Sequence, residues 1–201
     1  MLAKKLADFH HGAETSAAIS AFGSLDTITQ NAEENFSQTE KYIGNTVPRN
    51  TYQRIKDYTD SFIRHNAPLF HQRVAEGRIR DCHGDLHVAH VCFTNDIYIY
   101  DCIEFNDRFR YCDVASEVTF LAMDLDHYQQ ADLSNAFVDA YVAHSKDKEL
   151  LQLLNFYKCY RAYVRGKVNS FKYDDPHISE VERAETLANA RGYFELAESY
   201  I

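Results

Sequence analysis

Cys82 to Glu117 reads CHGDLHVAHVCFTNDIYIYDCIEFNDRFRYCDVASE, and the fold is read outward from it. His83-Gly84-Asp85 sets a carboxylate in a tight glycine-containing loop, with His87 and His90 close behind. Val91-Cys92-Phe93 and Ile97 to Tyr100 then read as two short strands around the turn Thr94-Asn95-Asp96, ending at Asp101. A loop carboxylate, a potential metal ligand five residues later and a second carboxylate at a strand end form one constellation. Phosphoryl transfer uses such a set, with a base for the attacking hydroxyl and ligands for the Mg2+ that bridges the phosphates.

The step from Asp85 to His90 is D-x-x-x-x-H, matching the spacing of the kinase catalytic loop H-R-D-x-x-x-x-N. HGDLHxxH, the strand into YDCIEF, and DRFRYCDVASEVTFLAMDLD together resemble the aminoglycoside phosphotransferase-like, protein-kinase-like family. That family's pattern is roughly HGDLHxxN...hDxE...D...DLA. The chain looks closest to a bacterial branch in which the kinase-like part can be fused to a P-loop kinase. The resemblance implies a mainly α fold with a small β-hairpin, the C-terminal lobe of the protein-kinase-like fold, filling residues 1–201 as one domain. It implies Asp85 as catalytic base, Asp101 and His90 as metal ligands, His83 as a brace, and Mg2+ and ATP as cofactors. Two positions depart from the pattern. The family's metal-binding Asn is His90 here, and the acidic residue of its DLA element is Glu117.

The flanking sequence is helical in pattern. Residues 2–11 form a short amphipathic helix, 12–23 a loop, and Ser24 caps a helix running to about Ile43. Gly44 to Pro48 is a break. A long pattern from Asn50 to Glu76 is interrupted near Ala67 by Pro68. Further helices are expected over about 111–127, 133–144, 148–171 and 178–199, the last after Asp174-Asp175-Pro176.

With 201 residues and 45% hydrophobic content, one domain can bury a sizeable core. A net charge of −9 argues against nucleic acid or an anionic membrane as the main partner, since both require basic patches. No apolar run approaches the ~20 residues of a membrane span. Five cysteines without CxxC spacing read as reduced thiols of a cytoplasmic protein. The seven glycines form neither GxGxxG nor GxxxxGK[ST]. The expectation is therefore a catalytic and substrate lobe without the ATP-holding one. Such a chain would bind ATP weakly or not at all by itself, and would self-associate or receive a nucleotide lobe in trans. Apolar surface is expected on helix 2–11 and around Ile79 and Val91.

Several residues have two readings. Glu104 is either a second metal ligand or a solvated loop carboxylate. Asp113 is expected to accept hydrogen bonds from the catalytic-loop backbone, and Glu117 to do so less well. Arg108 and Arg110 have the charge to hold the loop to the following helix through Asp113 and Glu117. Lys158, Arg161, Arg165 and Lys172 fall on one helical face, as a solvated stripe or as a dock for an anionic small-molecule substrate at Arg161 and Arg165. A polycationic aminoglycoside fits that stripe poorly. His90 either draws the site toward Mn2+ or Zn2+ or leaves the metal to bond Asp85 or Asp101; the second is expected. Two other function classes stand beside the phosphotransferase. One is an inactive kinase-like remnant acting as a binding module. The other is a metal-dependent hydrolase built on His83, His87 and His90.

Overall fold

Caps and breakers set most of the element boundaries in the computed structural model, which describes residues 1–201. Helix α1 spans Leu2–Gly12. The segment expected as a loop holds a short helix, α2 (Ala17–Ser20), because the Ser16 hydroxyl accepts from the Ile19 N–H and starts a turn. Ser24 does the same for α3 (Leu25–Thr39), and a 3-10 turn over Glu40–Tyr42 extends it. After the Gly44–Pro48 break come α4 (Arg49–His65) and α5 (Ala67–Ala75). Asn66 separates them, and Pro68 sits in the first turn of α5, where its missing N–H costs nothing.

Strand β1 (Ile79–Asp81) leads into the loop that carries His83, Gly84 and Asp85, followed by β2 (Val91–Phe93) and β3 (Ile97–Ile99) as an antiparallel hairpin. Residues 107–113 depart from the expected helix start. A single turn, α6 (Asp107–Arg110), is followed by β4 (Tyr111–Asp113), which pairs antiparallel with β1 in the register Ile79↔Asp113. The physical cause is Asp113, whose carboxylate accepts from the Ala115 N–H. That cap fixes the start of α7 at Val114–His127 and leaves the preceding residues extended. Three long helices complete the chain: α8 (Ala131–Ser145), α9 (Leu150–Tyr173) and α10 (Glu180–Glu198).

The result is a mainly α protein, 70% helical, with two small antiparallel ladders. Helix α9 is its axis, packed against α3, α4, α7 and α10. One connected apolar cluster runs from Leu6 of α1 to Phe194 of α10. Phe62 stacks on Phe156 with ring centroids 4.6 Å apart, and Tyr163 meets Phe194 edge-on at 5.1 Å. Each fully buried aromatic contributes on the order of 2–3 kcal/mol by removing apolar area from water. Gly166 lets α9 and α10 approach, since a Cβ there would lie 2.9 Å from the Phe194 ring.

A buried ion network joins the layers where the site is mounted. Arg73 of α5 donates from Nε and Nη2 to the two oxygens of Asp113, and from Nη1 to Asp147. All three side chains are at most 2% exposed. Asp147 also accepts from the Leu150 N–H at the start of α9. Asp113 therefore belongs to this network and to the α7 cap, and not to the catalytic-loop backbone as expected from the sequence. All five cysteines are free thiols, and no helix is long and apolar enough to cross a membrane.

Candidate functional site

The loop carrying Asp85 is shaped by Gly84, whose φ of +85° lies in the left-handed region that glycine tolerates best. A Cβ at Gly84 would lie 2.8 Å from the Phe109 carbonyl oxygen, so the close approach also requires glycine. Helix α7 holds the loop with two carboxylates seven residues apart and hence on one face. Glu117 accepts from the Gly84 N–H at 2.6 Å, and Asp124 accepts from the Val88 N–H at 2.9 Å. On the third side Arg161 of α9 donates to the Gly84 carbonyl at 3.2 Å and to the Ser116 hydroxyl.

Glu117 is fully buried and its other oxygen meets His10 Nε2 at 2.7 Å. His10 Nδ1 in turn faces the Tyr141 hydroxyl at 2.7 Å. Burial pushes the Tyr141 phenol up, so its O–H stays protonated and donates to Nδ1, while Nε2–H donates to Glu117. Burial alone would raise the Glu117 carboxyl as well. The hydrogen bonds from His10 and from the Gly84 N–H outweigh it and hold that carboxyl below its ordinary value. The pairing expected of Asp113 is thus made by Glu117, despite its extra methylene. His10, an unremarked position in the first helix, completes the brace.

His83 is a structural brace in the same loop. Its Nε2 faces the Tyr100 carbonyl at 2.7 Å, and its Nδ1 accepts from the Asp85 N–H at 3.3 Å. Both ring nitrogens are engaged, which removes His83 from the expected three-histidine metal cluster. The group that does converge is Asp85, His87 and His90, with ligand atoms within 4.8 Å of one another. His87 Nε2 lies 3.6 Å from Asp85 Oδ2, and the His87 and His90 rings are 3.9 Å apart. Burial pushes the Asp85 carboxyl up, but His87, His90 and Arg161 together hold it below the usual range. Asp85 is accordingly an ionised acceptor at neutral pH.

His90 lies between the two carboxylate residues. Its Nδ1 donates to the Asp85 main-chain carbonyl at 2.9 Å, and its Nε2 lies 3.4 Å from Asp101 Oδ2. The expected bond to Asp85 is therefore made to its backbone rather than to its carboxylate. With Nδ1 carrying a proton, the neutral ring turns the Nε2 lone pair toward a carboxylate oxygen. Two acceptors facing each other call for a proton or a cation between them. Asp101 has φ of +64° at the end of β3, a left-handed conformation uncommon outside glycine. Its side chain is 75% exposed.

Asp85, Asp101 and Glu104 share an open cleft of about 1060 Å³ with Arg161, Lys167 and the apolar side chains of Phe105, Phe109, Phe120 and Val164. Arg165 does not line this cleft. The expected basic stripe is not one surface, because α9 is enclosed by its neighbours. Lys158 is buried against Asp126 and Ser134, Arg161 is buried beneath the loop, and Lys172 pairs with Glu182. Arg108 and Arg110 likewise pair elsewhere than expected, with Glu34 and Asp81. Ile79 is buried, whereas exposed apolar side chains are found on the first helix at Phe9 and around Val91 at Phe93, Tyr98 and Tyr100.

No protein-family model matches the chain, and no solved structure does. Curated relatives are mycobacterial. Uncharacterised proteins of Mycobacterium bovis and of two Mycobacterium tuberculosis strains, CDC 1551 and H37Rv, are each 32% identical to it over 173 residues. The alignment covers 86% of this chain and 35% of each relative, so the chain spans about a third of their length.

Proposed function

We propose that this chain is the catalytic and substrate-holding lobe of a small-molecule phosphotransferase of the protein-kinase-like type. The observation that carries the reading is the convergence of Asp85, Asp101 and His90 on one rim of a cleft, around a loop braced from three sides. The ionised Asp85 carboxylate accepts the hydrogen bond of an acceptor hydroxyl and orients its oxygen for in-line attack. A positioned base of this kind is worth about 10²–10⁴-fold in rate. Gly84, held by Glu117 and Arg161, fixes where that carboxylate stands, so no reorganisation is needed at the moment of reaction.

The donor set suits a divalent cation. Asp101 offers a hard, exposed oxygen, and the His90 Nε2 lone pair faces it across 3.4 Å. Asp101 and His90 are the residues that would hold Mg2+, with Glu104 on the same rim. A divalent ion held by these residues would supply charge neutralisation for the transferring phosphoryl group. The left-handed backbone of Asp101 favours this role, since such conformations gather at functional sites.

The test is transfer of labelled γ-phosphate from Mg–ATP to hydroxylated acceptors, comparing wild type with Asp85→Asn. With Mg–ATP raised to millimolar concentration, because this chain is expected to hold ATP weakly by itself, transfer that falls at least a hundredfold in the variant supports the reading, and measurable transfer that is equal in both refutes it. A second reading, a transition-metal hydrolase, is favoured by one observation, the convergence of Asp85, His87 and His90 as an N,N,O donor set. Stoichiometric zinc, manganese or iron in purified protein, lost in His87→Ala, would support it in place of the first.

A further inference from the structure

Lys167 of α9 is a cation in the cleft without an anionic partner. Its Nζ donates to two neutral acceptors, Asn35 Oδ1 at 2.6 Å and Gln38 Oε1 at 2.9 Å, and no carboxylate lies within ion-pair distance. The nearest acid in its surroundings, Glu34, is already held by both terminal nitrogens of Arg108. Burial pushes the Lys167 ammonium below its ordinary value, against the attraction of Glu34 and with the repulsion of Arg108. Lys167 is partly buried, so its charge is only part-hydrated and has no counter-ion beside it. An ammonium has three N–H donors, so one remains after the two amide bonds.

Asn35 Oδ1 is committed to Lys167, which turns the buried Asn35 NH2 group away from the ammonium. Asn35, Gln38 and Lys167 line the cleft that Asp85 lines. The cleft is thus polarised. Asp85, Asp101 and Glu104 make one part of its wall acidic, whereas Lys167 and Arg161 bring cationic groups from α9. Phe105, Phe109, Val164, Val168 and Phe171 supply apolar wall.

We infer that the cleft takes a hydroxylated molecule bearing an anionic group, a carboxylate in the simplest case, on an aromatic or apolar body, and that Lys167 selects that charge. The inference rests on the phosphotransferase reading only for the fate of the hydroxyl, which would be oriented by Asp85. The anion completes the shell of Lys167, the cation the protein leaves without a counter-ion. A polycationic acceptor would meet Lys167 and Arg161 as like charges.

Three probes sharing a hydroxyphenyl body separate charge from shape: 3-(4-hydroxyphenyl)propionate, tyrosol and tyramine, carrying negative, zero and positive charge. Their binding to wild type, Lys167→Met, Lys167→Arg and Asp85→Asn is measured by calorimetry and ligand-observed NMR, without ATP or metal. The result expected is that the propionate binds on the order of tenfold or more tighter than tyramine, the size of a hydrogen bond to a charged group. Lys167→Met should erase that preference and Lys167→Arg should keep it, both with unchanged far-ultraviolet circular dichroism. Equal binding of all three, a preference for tyramine, no binding of any at millimolar concentration, or a preference that survives in Lys167→Met would overturn the inference. Asp85→Asn keeps the roles apart. A charge preference present in wild type and Asp85→Asn, with measurable phosphoryl transfer that is equal in both, would sink the phosphotransferase and leave the anion site standing. Asp85-dependent transfer with no charge preference would do the reverse.

Discussion

Removing the Glu117 side chain should unfasten the loop that carries Asp85. In Glu117→Ala the Gly84 N–H loses its acceptor at 2.6 Å and His10 loses its partner at 2.7 Å, both in a site closed to water. The carboxylate serves two donors, and each orphaned buried donor costs about 1–3 kcal/mol, so the expected loss is about 2–6 kcal/mol in total. For a chain of this size that lowers the melting temperature by roughly 4–24 °C. Glu117→Gln should be much milder. Its amide oxygen still accepts from Gly84, and its NH2 can donate to His10 Nε2 if the ring proton moves to Nδ1 and the Tyr141 oxygen accepts it. The assay is thermal denaturation of the two variants, paired with the Gly84 amide resonance, which a short bond to a carboxylate shifts downfield. A loss under about 1 kcal/mol in Glu117→Ala, or equal losses in both variants, would refute the brace, since an unmade buried bond cannot be that cheap.

Other outcomes follow from the same geometry. Gly84→Ala forces a Cβ to within 2.8 Å of the Phe109 oxygen at positive φ, so it should unfold the loop and lower the melting temperature more than Asp85→Asn does. Asp101→Ala should cost about 1 kcal/mol although the side chain is exposed, because alanine resists the left-handed region, whereas Asp101→Gly should not. Melting curves of the pair check this. The Arg108 hydrogen bonds hold the Glu34 carboxyl at about 2 against an ordinary 4.5. A depressed folded value means that the pair contributes fully above the ordinary value and is lost as pH falls toward the folded one. The melting temperatures of wild type and Glu34→Gln should therefore differ at neutral pH and converge near the folded value of about 2; a constant gap would contradict this.

Local signals carried the parts of the fold that local chemistry decides. Ser24, the Gly44–Pro48 break and Pro68 each speak for their own neighbourhood, and the helices begin and end near them. The loop glycine and the strand-end Asp101 are legible for the same reason. What stayed hidden depends on partners far along the chain. His10 reads as one turn of an amphipathic helix, and nothing nearby reveals Glu117, 107 residues away. Arg73 looks like a surface charge of α5 until Asp113 and Asp147 arrive from two other elements. The β1–β4 ladder is three residues long, too short for alternation to show. The charges of α9 were misjudged because its pattern does not reveal that neighbours enclose the helix. Lys158 and Arg161 are buried on a face that spacing alone presents as solvated.

The most direct measurement is Mn2+ binding followed by electron paramagnetic resonance, with Mg2+ and Zn2+ as competitors, on wild type and Asp101→Asn. The result expected is one bound Mn2+ that millimolar Mg2+ displaces, with affinity falling at least tenfold in Asp101→Asn. The proposed function requires this of the exposed Asp101 carboxylate beside the His90 nitrogen. Mn2+ that fails to bind, that is indifferent to Asp101, or that yields to Zn2+ but not to Mg2+ would contradict a phosphotransferase centre at Asp85, His90 and Asp101.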